Sequence, residues 1–300
     1  MRAVDLFAGA GGFTTGALAA GLDVVACANH WRAAIDVHAA NHPGVEHVCA
    51  NLLELDMRRL PRHDVLLASP ACQGFSEASQ PSRRPKHEAD RNTCWAVVCA
   101  AEAHRPELVL VENVPAIRRW PLFGVWLQAF AALGYVVREH VFDAADFGVP
   151  QNRVRFVLSA RRGRALDLRA PGLPHRAFGP LVDWQAGEWR RLRDLPAGVR
   201  RRAARARARG LSGRYLLHYS RDHAGREIGR PIGTITTKVQ WAAVDGDRSR
   251  MLSADELRRG MGFPADYRLP EGKCAAVRML GNAIPPALAE SICRQAMEAA

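Results

Sequence analysis

Lysine is almost absent from this 300-residue chain. Of its 42 basic residues, Lys86, Lys238 and Lys273 are the three lysines and the remaining 39 are arginines. No pair of its seven cysteines is spaced C-x-x-C, and the odd count in a chain that opens without an apolar export segment points to reduced thiols, not a disulfide framework. The eleven histidines are scattered, with neither an H-x-E nor an H-E-x-x-H spacing, so no metal site is expected. No apolar run approaches the roughly 20 residues that a membrane-spanning helix needs, and "MRAVDLFAGAG" lacks the long apolar region of a signal peptide. These absences together lead us to expect a soluble, cytoplasmic protein with no membrane partner.

What is present is positive charge. A net charge of +12 favours a polyanionic partner, nucleic acid first among them, although an arginine and alanine bias of this kind is also what a GC-rich genome produces. With 48% hydrophobic residues, the chain can bury one sizeable core and a smaller second one.

The first half alternates apolar, β-branched runs with helical patterns, as successive βα units do. "AVDLF", "DVVACA", "HVCA", "DVLLAS", "ELVLVE", "YVVREHVF" and "RVRFVLSA" read as strands. Helices are expected near Thr14 to Ala20, Arg32 to Asn41, Thr93 to His104 and Leu122 to Leu133. The expected fold is α/β: a doubly wound, mostly parallel sheet that binds ligands beyond the carboxyl ends of its strands. From Arg161 the pattern breaks into a Pro/Gly-punctuated, arginine-dense stretch that includes "VRRRAARARARG", either a solvated helix or loop or a groove-facing surface. Helical patterning returns at "SADELRRGMGF", where Ser253 and Glu256 are placed for a capping box, and Pro286 can open a terminal helix.

Three motifs fall at the ends of the first-half strands. "DLFAGAGGF" leaves β structure through Gly9, Gly11 and Gly12, where backbone can approach a nucleotide-like ligand, and Phe7 is either a stacking ring or a core residue. In "LLASPACQGFSEAS" Cys72 follows a strand, with Pro70 and Gly74 shaping a tight loop and Gln73 and Ser76 bringing polar groups that a core would not want. "LVLVENVPAI" closes an apolar strand on Glu112, a costly place for a carboxylate that is neither paired nor used. "QNRVRFVL" puts Gln151, Arg153 and Arg155 at alternate positions entering a strand, so they are expected on one face, where arginines can hold a phosphate or a carbonyl oxygen.

Taken in order, "DLFAGAGGF", "PACQGFS", "ENV", "QNRVR", "RMLSADELRRGMGFP" and "GNAIPPALAESI" resemble the DNA (cytosine-5) methyltransferases over nearly the whole chain. The resemblance implies a Rossmann-like methyltransferase domain at 1–160 and 277–300 and a smaller target-recognition domain at 161–276. It implies a monomer acting on double-stranded DNA, with S-adenosyl-L-methionine as methyl donor and S-adenosyl-L-homocysteine as product. Cys72 would be the nucleophile that adds to carbon 6 of a flipped-out cytosine. Glu112 would hold ring nitrogen 3 and the exocyclic amine, Arg155 the base's carbonyl oxygen, and Arg153 the loop and the nucleotide backbone. The donor would lie against Asp5, Phe7, Gly9, Gly11, Gly12, His30, Trp31, Asn51, Leu52, Pro70 and Asn282.

The chain departs from the family pattern at three places. Ala71 stands where a second proline usually precedes the cysteine, His30 where an acidic residue usually takes the ribose hydroxyls, and Asn51 where an aspartate usually takes the adenine amine. Uncharged contacts there imply a weaker grip on the donor. Two other readings keep the same motifs: cytosine-5 methylation of structured RNA, and a DNA-binding homologue with little chemistry.

Overall fold

The computed structural model describes residues 1–72, 74, 75, 84–219 and 225–299, and divides into two compact units. The first comprises Met1–Asp143, Val154–Pro171 and Ala283–Ala300. The second comprises Ala144–Arg153 and Gly172–Asn282.

The first unit is built on seven strands: β1 (Arg2–Leu6), β2 (Asp23–Asn29), β3 (Glu46–Cys49), β4 (Val65–Ala68), β5 (Leu108–Asn113), β6 (Tyr135–Asp143) and β7 (Val154–Arg162). Their order is β3-β2-β1-β4-β5-β7-β6, parallel throughout except that β7 runs antiparallel to both of its neighbours. β4 and β5 are buried along their entire length. Burial on both faces explains why they read as unbroken apolar runs and not as alternation. The strand order reverses between β1 and β4, where open α/β sheets bind ligands. The expected doubly wound, mostly parallel fold is therefore present.

Helices α1 (Gly12–Ala19), α2 (Arg32–Asn41) and α4 (Phe123–Ala132) lie within a few residues of their expected positions. Helix α3 (Arg84–His104) starts nine residues before the expected Thr93, because its first turns carry too few apolar residues for the periodicity to register. The terminal helix, α8 (Pro286–Glu298) in the order of the chain, opens on Pro286 as expected and crosses α1 at backbone contact. A side chain at Gly16 would meet the Glu290 nitrogen and the Pro286 oxygen at 2.5 Å, and one at Gly12 would run into the Ile284 carbonyl.

The second unit holds a five-stranded antiparallel sheet that the sequence did not announce: β8 (Arg190–Arg191), β9 (Arg214–His218), β10 (Arg226–Glu227), β11 (Trp241–Asp245) and β12 (Arg248–Met251), in the order β10-β9-β11-β12-β8. Strands of two to five residues are too short to show alternation, and four of them begin on arginine. The "VRRRAARARARG" run forms α5 (Ala197–Ala208), whose Val199, Ala203 and Ala206 pack with Tyr215, Leu217 and Val244 while the arginines between them face outward. The Ser253–Glu256 capping box opens α6 (Ala254–Gly260) as read, and α7 (Lys273–Asn282) follows. Glu256 also closes a buried ion pair with Arg250 at 2.6 Å. Among the described residues no helix is long and apolar enough to cross a membrane.

Candidate active site

The carboxyl ends of β1, β4 and β5 lie side by side, Leu6 against Ala68 and Ala68 against Val111, so the loops that follow share one rim. β7 arrives from the opposite direction with Phe156 beside Asn113, which brings Arg155 to the same rim. Cys72, Glu112, Arg155 and the glycine turn are therefore gathered by sheet topology alone.

The cysteine loop is held from three sides. Asn113 Nδ2 donates to the Pro70 carbonyl at 3.0 Å, while its Oδ1 accepts the Val114 N–H at 2.8 Å. From α3, Thr93 Oγ1 accepts the Ala71 N–H at 3.0 Å and Arg91 Nε donates to the Gly74 carbonyl at 2.9 Å. Below it, Phe75 packs against Trp120 with ring centroids 5.8 Å apart. With Ala71 in place of a proline, these bonds supply the restraint that a second fixed φ would have given. Gln73 and Ser76 lie outside the described residues.

Cys72 is half-buried, which sets it apart from the other cysteines. Burial pushes the Cys94 thiol up to about 12 and raises Cys27 and Cys293 as well, so none of these three is a free thiolate nucleophile at neutral pH. Cys49, Cys99 and Cys274 are exposed. Glu112 and Arg155 form a buried ion pair, Nε to Oε1 2.9 Å, with side chains 6% and 10% exposed. A carboxylate and a guanidinium so withdrawn from water each depend on the other to offset desolvation.

On the other half of the rim, Gly9 and Gly11 take positive φ of 56° and 81°, a region that glycine enters without a Cβ clash. Phe7 takes it too, at 59°, a strained conformation for an aromatic residue. Asp5 is fully buried: its Oδ2 accepts from the Thr14 N–H at 3.2 Å and from the Thr14 hydroxyl at 2.8 Å, whereas Oδ1 has no partner among the described residues. Burial raises Asp5 from 3.8 to about 7 despite both bonds from Thr14. The Asp5 oxygen without a partner, in the strand that leads into two glycines of positive φ, keeps hydrogen-bonding capacity unused among the described residues.

The remaining expected donor contacts divide. His30 is exposed, whereas Asn29 before it is buried and accepts the N–H of half-buried Trp31 at 2.8 Å; the sequence reading passed over Asn29. Asn51 is exposed and caps its own turn, its Nδ2 on Glu54 at 2.7 Å and its Oδ1 taking the Leu53 N–H at 3.2 Å. Leu52 is a core residue, 2% exposed.

One expectation needs correction. β7 begins at Val154, so Gln151 and Arg153 do not share a strand face with Arg155. Arg153 belongs to the second unit, is 1% exposed, and donates to the Ile235 and Gly281 carbonyls at 2.8 and 2.7 Å. Gln151 accepts the Ile235 N–H at 2.8 Å, so the two side chains fasten one loop of that unit. Burying a guanidinium requires such carbonyl partners, and an alternating pattern cannot reveal them. Asn282 closes α7, also in the second unit.

Behind the glycine turn lies a cluster that no spacing pattern flagged. His38 Nε2 is 3.0 Å from Thr14 Oγ1, and its Nδ1 is 3.6 Å from Cys27 Sγ and 2.9 Å from His47 Nε2. Burial lowers His38 to about 3 and His42 to about 4, so both rings are neutral at physiological pH.

A seven-stranded, mostly parallel sheet with this order and this rim defines a Rossmann-like methyltransferase. The chain matches the C-5 cytosine-specific DNA methylases over residues 1–181 and 184–298 and belongs to that family of DNA cytosine-5 methyltransferases. It is 30% identical to the Type II methyltransferase M.NlaX of Neisseria lactamica, across 98% of this chain and 95% of that protein. It is also 30% identical to M.HgiDI of Herpetosiphon aurantiacus, across 96% and 92%. Among solved structures, a prophage-encoded DNA modification methyltransferase from E. coli superposes with a TM-score of 0.75 at 20% identity, covering 99% of both chains. Spodoptera frugiperda DNMT2 superposes at 0.70 and 16%, also covering 99% of both.

Proposed function

We propose that the enzyme methylates carbon 5 of a cytosine rotated out of duplex DNA, with Cys72 as the nucleophile. The observation that carries this reading is the meeting, on one rim, of a half-buried thiol in a pinned loop and a buried Glu112–Arg155 pair. S-adenosyl-L-methionine, when bound, supplies the electrophilic methyl group. The residues present fit it: the Asp5 oxygen without a partner and the backbone of Gly9 and Gly11 can take its polar groups, while Phe7 and Trp31 offer flat apolar surface.

The chain's own residues do the rest. Carbon 5 of cytosine is a weak nucleophile, so the Cys72 thiolate adds to carbon 6 and makes carbon 5 electron-rich. Glu112 holds nitrogen 3 and the exocyclic amine, and Arg155, already oriented by Glu112, takes the carbonyl oxygen as charge develops on the ring. Once carbon 5 is alkylated its proton leaves to water, and Cys72 is expelled. Arg153, tied to two carbonyls, positions its loop and does not touch the base.

Residues 161–276 form the target-recognition domain in this reading. The outward arginines of α5 supply phosphate contacts. Trp184 and Trp189 lie 6.3 Å apart, with Arg214 over the first and Arg248 over the second, a surface of flat rings and cations suited to nucleic acid, while the buried Arg250 supports the Trp189 ring from within. In this reading the enzyme acts in the compartment that holds the DNA, and its likeness to Type II methyltransferases supports a role in DNA modification.

Incubation with radiolabelled donor and either duplex DNA or structured RNA tests the substrate. Label is expected in DNA, at cytosines of one sequence when the product is sequenced after bisulfite treatment. Label confined to RNA, or in neither polymer, would overturn the proposal.

A further inference from the structure

Parallel pairing of β2 with β3 sets Cys27 directly opposite His47, so their side chains leave one face of the sheet side by side. Helix α2 covers that face and lowers His38 between them. The three ligand-type atoms, Cys27 Sγ, His38 Nδ1 and His47 Nε2, all lie within 4.8 Å of one another. We propose that Cys27, His38 and His47 bind a single cation of the zinc class.

The distances support it. Zinc at its usual bond lengths to sulfur and nitrogen places a tetrahedral S and N about 3.6 Å apart and two N atoms about 3.3 Å apart. Cys27 Sγ and His38 Nδ1 are already 3.6 Å apart, and His38 Nδ1 and His47 Nε2 are 2.9 Å apart. Cys27 and His38 are fully buried and need not move. His47 is half-exposed, so the shift of roughly an ångström that closes the set falls on the side chain freest to make it.

The hydrogen bonding behind the cluster points the same way. The Thr14 hydroxyl gives its one proton to Asp5, so the contact with His38 Nε2 is a donation from the ring. With that ring proton on Nε2, His38 Nδ1 presents a lone pair to Cys27 and His47. The His47 ring also bonds the Val45 backbone, and a ring proton held there leaves Nε2 as a second lone pair. In those tautomers two lone pairs face each other at 2.9 Å, an arrangement that a cation between them stabilises. A cation satisfies both, and Thr14–Asp5 and Val45 become the outer partners that metal-bound imidazoles regularly have. Binding releases the Cys27 thiol proton to solvent and forms a sulfur–metal bond, with no oxidant involved. His42 Nε2 is engaged with Thr15 Oγ1 at 3.1 Å, so the fourth coordination position goes to water entering beside His47.

The soft–borderline donor set, one thiolate and two imidazoles, selects zinc-class ions over magnesium or calcium. Full-length protein, stripped with chelator, should take up one equivalent of cobalt(II) with a thiolate-to-metal charge-transfer band, and zinc should displace it. Cys27→Ser should abolish the band. Because Cys27 is buried, the half-exposed His47→Gln carries equal weight and should weaken cobalt binding roughly tenfold or more. Serine at Cys49, Cys99 and Cys274 together should change nothing. Absence of the band at one equivalent, its survival in Cys27→Ser or unaltered in His47→Gln, or its loss in the triple variant would each overturn the proposal.

Discussion

The two units of this protein use charge in opposite ways. In the first, the sheet is so thoroughly covered that charged side chains stand at strand ends or pair with one another, as Glu112 does with Arg155 and Arg161 with Glu107 at 2.6 Å. In the second, arginines begin the strands, line α5, lie over Trp184 and Trp189, and also form the buried Arg250–Glu256 pair. Where charge is scarce, each ionised group marks a place with a purpose. Where it is abundant, one residue type does both the folding and the binding, and its pattern says little about which.

The largest expected effect tests the first half of that contrast. Cys72→Ser should leave the fold intact and reduce methyl transfer below detection, because an alcohol at that rim is not ionised at neutral pH. Next is the pH dependence of stability. Asp5 is raised from 3.8 to about 7 on folding, so its stabilising effect is fully present below its unfolded value and is lost as pH climbs through about 7. That change corresponds to about 4 kcal/mol at most. Urea unfolding of the donor-free enzyme between acid and mildly alkaline pH should show Asp5→Asn gaining on the parent as pH rises; parallel curves would mean Asp5 is not the buried acid described.

Smaller again, Glu112→Gln should lower turnover about a hundredfold, within the range for loss of one positioned proton-handling group, with donor affinity unchanged by calorimetry. Equal losses in kcat and donor binding would dissolve the division of the rim into two halves. The smallest effect belongs to the second unit. Arg201→Ala with Arg209→Ala, both exposed on or just after α5, should weaken DNA binding alike for all sequences and flatten its salt dependence by about one charge per residue in contact. A change in sequence preference instead would give those arginines a base-reading role.

Legibility in the sequence followed the same division. The parallel strands were readable because two-sided burial writes continuous apolar runs, and the rim was readable because Cys72 and Glu112 interrupt them. What holds the rim was not: Asn113 on Pro70 and Thr93 on Ala71 join residues 43 and 22 positions apart, and only the folded sheet brings them together. Alternation mistook Gln151 and Arg153 for strand residues because it cannot count the carbonyls waiting for a buried guanidinium. The Cys27–His38–His47 cluster escaped any spacing rule because strand register, not sequence distance, assembles it. The small antiparallel sheet was illegible for the reason its arginines are.

The most direct test of the central claim uses duplex DNA carrying 5-fluorocytosine, whose carbon 5 bears fluorine in place of the proton that must leave after methyl transfer, so a true sulfur adduct is trapped. With the methyl donor present, the account predicts a denaturation-resistant protein–DNA complex whose peptide map places the nucleotide on Cys72, and none with Cys72→Ser. A stable complex that survives that substitution, or methylation of ordinary DNA without any trapped complex, would contradict it.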